Sequence, residues 1–339
     1  MIMNTKTNIF VHAPKELTTD AFLVWLLYFL DSEQSYKVQK QLFFDSLILK
    51  QEDCGRAVGN IELKRQENNV DVLLTFRFID NNESQTVLFE DKTWSMPHGD
   101  QLAKYKKIYP NCYRYFYFKL AYINSQEEQE ISRERYEIIN AEMMSSTLEK
   151  MTELHPLIKM YQEYITETFV KEINSFHERI FLKHEYDVLW SADAQKYLCD
   201  TIVKSMLEQN VPYLEIRNDT SHGRPWTEID IAEKSTGYRE VLFWRVDIRS
   251  GKFYIRLNQY ADPSENEIAY KMNRLEILRK EAKEIVAGMP ALHPGEVNNR
   301  AIKESEVLIF FLDDNDLDKV IESLPEITRR IIEVFNKLS

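Results

Sequence analysis

The stretch Val70–Tyr105, VDVLLTFRFIDNNESQTVLFEDKTWSMPHGDQLAKY, decides how the first half of this chain folds. Val70–Ile79 is dense in β-formers, Asp80-Asn81-Asn82-Glu83 has turn composition, and Gln85–Trp94 returns to β-formers, so the three read as a hairpin. With a two-residue turn at Asn81-Asn82, Asp71 lies opposite Lys92 and Leu73 opposite Glu90. Glu90 and Lys92 are two apart and share a face, and directly opposed residues share one as well. The expectation is a cluster of Asp71, Glu90 and Lys92 at one end of one sheet face. A register shifted by one would put Asp71 and Glu90 on opposite faces. After Pro97 and Gly99 a helix spans Asp100–Ile108 with Asp100 as its cap. Gln101 and Tyr105, at i and i+4, share one of its faces.

Outward from this stretch, Leu17–Asp31 reads as a helix apolar nearly all round and therefore buried, and Tyr36–Lys50 as a second helix. Arg56–Gln66 is a strand, and the aromatic run Tyr113–Ile123 is a buried strand rather than a base-stacking platform. Ser125–Lys150 is acidic and irregular, read as surface loop and helix, and Leu157–Phe181 is a long helix. The second half offers a helix at Asp193–Gln209, strands at Pro212–Arg217, Trp226–Ala232, Arg239–Ile248 and Lys252–Leu257, and helices at Glu265–Gly288 and Asp316–Leu338. The last is expected to break near Pro325. The domain reading is 1–180, trailing helix included, and a separate α+β domain over 181–339.

Two carboxylates at the diagonal of a strand pair, roughly 7–8 Å apart at Cα, can converge on one hard cation. Magnesium takes a few carboxylate oxygens and keeps waters and phosphate oxygens as its other ligands. A lysine beside it can orient the attacking water and stabilise phosphorane charge. Lys104, Lys106 and Lys107, on the helix that follows, could meet a phosphate backbone.

These residues resemble a family. Asp71 … Glu90-Asp91-Lys92 … Gln101-x-x-x-Tyr105 is similar to the PD-(D/E)XK nuclease superfamily, with the Q-x-x-x-Y element of its RecB-like branch. Phe22-Leu23-Val24-Trp25-Leu26-Leu27 resembles the opening helix of a bacterial branch in which nuclease activity is inferred. The resemblance covers about Asn8 to Ile123. It implies an α/β, restriction-endonuclease-like αβββαβ core, a mixed sheet flanked by helices. It also implies that Asp71 and Glu90 bind metal, with the Asp91 backbone carbonyl completing the inner shell, and that Lys92 is the catalytic lysine. Gln101, Tyr105 and Lys104 would contact substrate. An acid on the first helix often assists in this superfamily; Glu16 and Asp20 are the candidates, with Glu62 on the first strand a weaker third. The cofactor would be Mg²⁺ or Mn²⁺.

Composition bounds the rest. The 339 residues, 44% hydrophobic and 29% charged, suit a folded chain and exclude global disorder. No apolar run approaches the roughly 20 residues of a membrane span, and no secretory signal is evident, so no membrane partner and a cytoplasmic location are expected. Cys54, Cys112 and Cys199 form neither zinc spacing nor a disulfide framework. A net charge of −12 argues against coating nucleic acid through the whole surface. Charge is uneven, however: Asp100–Lys119 is net +4 and Asn124–Glu153 net −5. No phosphate-binding loop, dinucleotide fingerprint or nucleophile elbow occurs. His98 and the Ser221–Trp226 segment read as ordinary loops.

The expected function is metal-dependent hydrolysis of DNA phosphodiester bonds, in bacterial defence or DNA repair. The alternatives are a non-cleaving nucleic-acid- or protein-binding protein on the same fold, or a nuclease gated by its C-terminal domain. A homodimer or a protein partner through that domain is left open.

Overall fold

A computed structural model describes residues 8–12, 15–93, 95–97, 99–221, 223–235, 237–249, 251–298 and 303–338, with the side chains of 15–17 outside the description. Trp94, His98 and His222 fall outside it. The chain divides into two compact units, Met1–Asn174 and Ser175–Ser339. The division falls six residues before the expected one, inside the helical run that was assigned whole to the first domain. Among the described residues no helix is long and apolar enough to cross a membrane.

The first unit runs α1 (Ile9–His12), α2 (Lys15–Ser32), α3 (Lys37–Phe43), β1 (Val58–Glu67), β2 (Val70–Phe78), β3 (Ser84–Asp91), α4 (Gln101–Ile108), β4 (Arg114–Lys119), α5 (Ser125–Arg133), β5 (Glu137–Asn140), α6 (Ala141–Glu149) and α7 (Pro156–Ile165), with α8 (Lys171–His177) crossing the boundary. Its five strands lie in the order β1-β2-β3-β4-β5. The first three are antiparallel neighbours; β3, β4 and β5 are parallel.

Side-chain alternation splits the core. One face of the sheet presents Val72, Leu74, Phe76, Val87, Phe89, Phe116 and Phe118 to α2, α3, α6 and α7. The other presents Leu73, Leu88 and Tyr117 to Leu102 and Tyr105 of α4 and Ile131 of α5. Burial explains why α2 forms: Phe22, Leu23, Leu26, Leu27 and Leu30 are all at most 4% exposed, and each such side chain contributes about 1.5–3 kcal/mol on burial.

Two asparagine pairs make different turns. Asn68-Asn69 joins β1 to β2 as a two-residue loop closed by the Glu67–Val70 pair. Both residues sit at positive φ (54° and 66°), as a type I′ turn demands and as asparagine tolerates. Asn81-Asn82 instead lies in a four-residue loop, Ile79–Asn82, closed by the Phe78 amide on the Glu83 carbonyl at 3.1 Å. The expected two-residue turn is therefore corrected. Val72 pairs with Phe89 and Leu73 with Leu88, so Asp71 faces Glu90 rather than Lys92. The slip is by two residues, so every side chain keeps its expected face.

The acidic stretch read as irregular is α5, β5 and α6. Asn124 and Asn140 cap the two helices, accepting from the amides of Glu127 and Met143. The long helix is realised as α7, a π-turn at Thr166–Val170, α8 and a second π-turn at Glu178–Leu182. His155 Nδ1 caps it at the Leu157 amide, 3.1 Å away.

In the second unit, β6 (Glu215–Ser221), β7 (Arg224–Ser235), β8 (Arg239–Arg249), β9 (Lys252–Ala261) and β10 (Glu304–Phe311) form an antiparallel sheet in the order β10-β9-β8-β7-β6. The sequence reading passed over β10, although Val307–Phe311 is a run of β-formers. Helices α9 (Ala192–Glu208), α10 (Ile268–Ala287) and α11 (Leu317–Lys337) pack on the sheet, and Trp244 Nε1 donates to Thr328 Oγ1 of α11 at 2.8 Å. Contrary to expectation, α11 is not broken at Pro325. Proline deprives the carbonyl four residues earlier of its donor; here that carbonyl, Ile321 O, accepts from the Ser205 hydroxyl at 3.4 Å instead.

Candidate active site

The carboxyl end of β3 brings Glu90 and Lys92 together with Asp71 of β2. Glu90 is wholly buried. Its Oε1 accepts from Gln101 Nε2 at 2.7 Å and lies 2.7 Å from Lys92 Nζ. Its Oε2, also buried, has no hydrogen-bond partner. Burial, and then the negative charge of Asp71, push the Glu90 carboxyl up to about 8, against the opposing pull of the Lys92 ammonium. Asp71, opposite it on β2, accepts from Gln66 Nε2 at Oδ1 (3.0 Å) and from the Asp91 amide at Oδ2 (2.8 Å). Asp71, Glu90 and Lys92 are thus brought together, as the parity of the register requires.

Asp91 points to the opposite face of β3, toward α2. There it lies beside Asp20, which is 4% exposed, and lowers the cost of ionising it. Burial and the Asp71 charge raise Asp20 to about 6. Of the candidate acids with described side chains, Asp20 is the one beside Asp71. The Glu16 side chain lies outside the described residues. Glu62 is exposed and pairs with Thr75 on β2, four residues from Asp71, or roughly 13 Å along the strand.

Helix α4 supplies Gln101 in its first turn. Gln101 Nε2 bridges Glu90 and Tyr105 Oη (2.9 Å), and Tyr105 Oη donates to the Asn69 carbonyl at 2.7 Å. Tyr105 is only 3% exposed. Its hydroxyl is turned inward, tying α4 to the β1–β2 turn, rather than outward to a ligand. Asp100 takes the expected N-cap position, without a side-chain capping bond. Lys104 and Lys107 are exposed. Lys106 is not part of that set: it lies over the Tyr115 ring and donates to the Glu134 carbonyl.

Sequence reasoning missed two groups. The first is Gln66, opposite Asp71, whose φ is +53°; non-glycine residues held there are strained and gather at functional sites. The signal was the Asn68-Asn69 pair, which fixes a tight turn beside Asp71. The second lies on β4, next to β3. Lys119 and Glu127, both wholly buried, pair at 2.8 Å, and Tyr117 Oη donates to the same Glu127 Oε1 at 2.7 Å. Lys119 Nζ also donates to the Ser95 carbonyl at 2.5 Å, which pins the loop running from Lys92 to Gln101. A lysine ending an aromatic strand gives no such signal in one sequence.

Carboxyls held against ionisation by burial and by a neighbouring carboxylate, as Glu90 is by Asp71, are groups that a divalent cation would relieve. Among the described residues no three or more His, Cys, Asp or Glu side chains come together as a metal cage. A cation held by so few side chains would keep most of its ligands as water and substrate oxygens, as magnesium does.

No protein-family model, curated protein or solved structure matches the chain.

Proposed function

We propose that the first unit is a divalent-metal-dependent nuclease that hydrolyses DNA phosphodiester bonds. The observation that carries this reading is Glu90: wholly buried, held against ionisation by that burial and then by the Asp71 charge, and bonded to Lys92 and Gln101 at the end of β3. The element order α2-α3-β1-β2-β3-α4-β4 contains, with one additional helix before β1, the αβββαβ order that the resemblance implies, and supports the same reading.

Asp71 and Glu90 would hold Mg²⁺ or Mn²⁺, with the Asp91 carbonyl at the same strand end and Asp20 behind it. When bound, the ion supplies Lewis-acid activation of water and of the phosphate. Gln101 orients the Glu90 carboxyl. Gln66 and the Asp91 amide orient that of Asp71. Lys92 keeps an ammonium at the strand end, where phosphorane charge would develop.

Purified protein incubated with supercoiled plasmid and linear DNA in Mg²⁺, Mn²⁺ or EDTA tests this. Metal-dependent cutting is expected, absent in EDTA and lost in Asp71→Ala and Lys92→Ala. Cutting that persists in both variants, or none by folded wild type, would overturn it.

A further inference from the structure

The sheet face that carries Glu90 holds a second ammonium. Strands β3 and β4 are parallel, with Glu90 beside Tyr117 and Asp91 beside Phe118. The Lys92 amide continues the pairing, donating to the Phe118 carbonyl at 2.9 Å. Tyr117 belongs to the core beneath α4 and α5, the side on which Gln101 meets Glu90. Lys119, two residues after Tyr117, ends β4 on that same face. It therefore stands level with Lys92, on a neighbouring strand roughly 5 Å away, and diagonal to Glu90. Diagonal neighbours about 7–8 Å apart are within reach of long side chains. Of the two lysines, Lys92 takes Glu90, at 2.7 Å. Lys119 is turned to Glu127 of α5: its Nζ lies 2.8 Å from Glu127 Oε1, and Tyr117 Oη donates to the same oxygen at 2.7 Å. Lys119 and Glu127 are both wholly buried. Away from water a unit charge is weakly screened, so the partner Lys119 takes decides how much positive charge Glu90 meets.

We infer that Glu127 is a positioning residue for the candidate site: by holding Lys119 and Tyr117 it keeps a second ammonium off Glu90, and leaves that carboxyl to Lys92 and to a bound divalent cation. The inference rests on the nuclease reading for the cation centre. Glu127 stands behind β4 and acts only through Lys119. Deprived of its counter-charge, the Lys119 ammonium would turn to the nearest carboxylate, Glu90, and oppose a divalent ion there. A pair that served stability alone would leave the ion's affinity indifferent to the charge of Lys119.

The test is calorimetric titration of Mn²⁺ into the full chain for wild type, Glu127→Gln, and Glu127→Gln combined with Lys119→Met. Glu127→Gln keeps an oxygen for Tyr117 but removes the counter-charge. It should bind the ion about tenfold more weakly, the order of loss when a group behind a metal ligand is changed. Adding Lys119→Met removes the released ammonium and should return most of that affinity. Unchanged affinity in folded Glu127→Gln, or a double variant as weak as the single one, would overturn the inference and leave the nuclease reading standing. If the single variant does not fold, the double variant decides: affinity near wild type supports the inference, and a loss of about tenfold overturns it. Absence of Mn²⁺ binding by folded wild type would instead remove the cation centre, and the inference with it.

Discussion

Glu90 concentrates the energetic tension of the first unit. Burial and the Asp71 charge push its carboxyl up to about 8 in the folded chain, from the ordinary glutamate value of 4.5. Between those values the folded state retains a proton that the unfolded chain has released, so stability is present at low pH and is lost as pH rises, by up to about 1.4 kcal/mol per pH unit. Asp20, raised from 3.8 to about 6, adds the same sign over its own lower window. In EDTA the melting temperature should therefore fall from pH 5 to pH 8, and Glu90→Gln should flatten that fall while preserving an acceptor for Gln101. Equal slopes in wild type and variant would show that Glu90 is not under this tension. A divalent cation should reverse the fall in wild type only. Such tension is the usual cost of placing function in a core. At this scale the sequence was most legible: residue types two apart on a strand, or four apart on a helix, carry their faces with them. What it could not convey was direction. Tyr105 shares a face with Gln101 as expected, yet its hydroxyl is spent on the Asn69 carbonyl.

At the level of elements, the β3–α4 connection is held from beneath. Lys119 on β4 pairs with Glu127 on α5 and donates to Ser95 in the loop. Glu127→Ala leaves a buried ammonium without its counter-charge and should cost about 3–5 kcal/mol in denaturant unfolding. Lys119→Met combined with Glu127→Met should regain most of that, because a buried pair replaced by apolar side chains is often near neutral. A single variant within 1 kcal/mol of wild type would contradict the arrangement. Element existence was largely readable from β-former density and helical caps; connectivity was less so. Of two Asn-Asn pairs, the tight turn belongs to Asn68-Asn69, and only the ladder beside each pair distinguishes them. Asp71 met Glu90 on the expected face because a slip of two preserves parity. β5 and β10 escaped because short or late runs of β-formers sit within charged surroundings. The break expected at Pro325 failed because Ser205, from a different helix, takes the orphaned carbonyl, a tertiary contact that no local pattern encodes.

Over the whole molecule, the net charge of −12 and the local chemistry point in different directions. General surface charge does not favour nucleic acid; under the proposed function, association would come from the strand end where Lys92 lies, from the exposed Lys104 and Lys107, and from a cation held among the acids. The second unit adds a sheet face on which Arg217, Arg245 and Arg256 interlock with Glu228, Asp230, Asp247 and Glu304. That network is largely self-neutralising and offers phosphate little. The measurement that bears most directly on the account is calorimetric titration of Mn²⁺ into the full chain at pH 8, beside Asp71→Asn and Glu90→Gln. Wild type should bind the ion, and each variant should weaken it at least tenfold, as loss of a ligand does. Unchanged binding in both variants, or none by folded wild type, would mean that the carboxyl cluster at the end of β3 is not a cation centre.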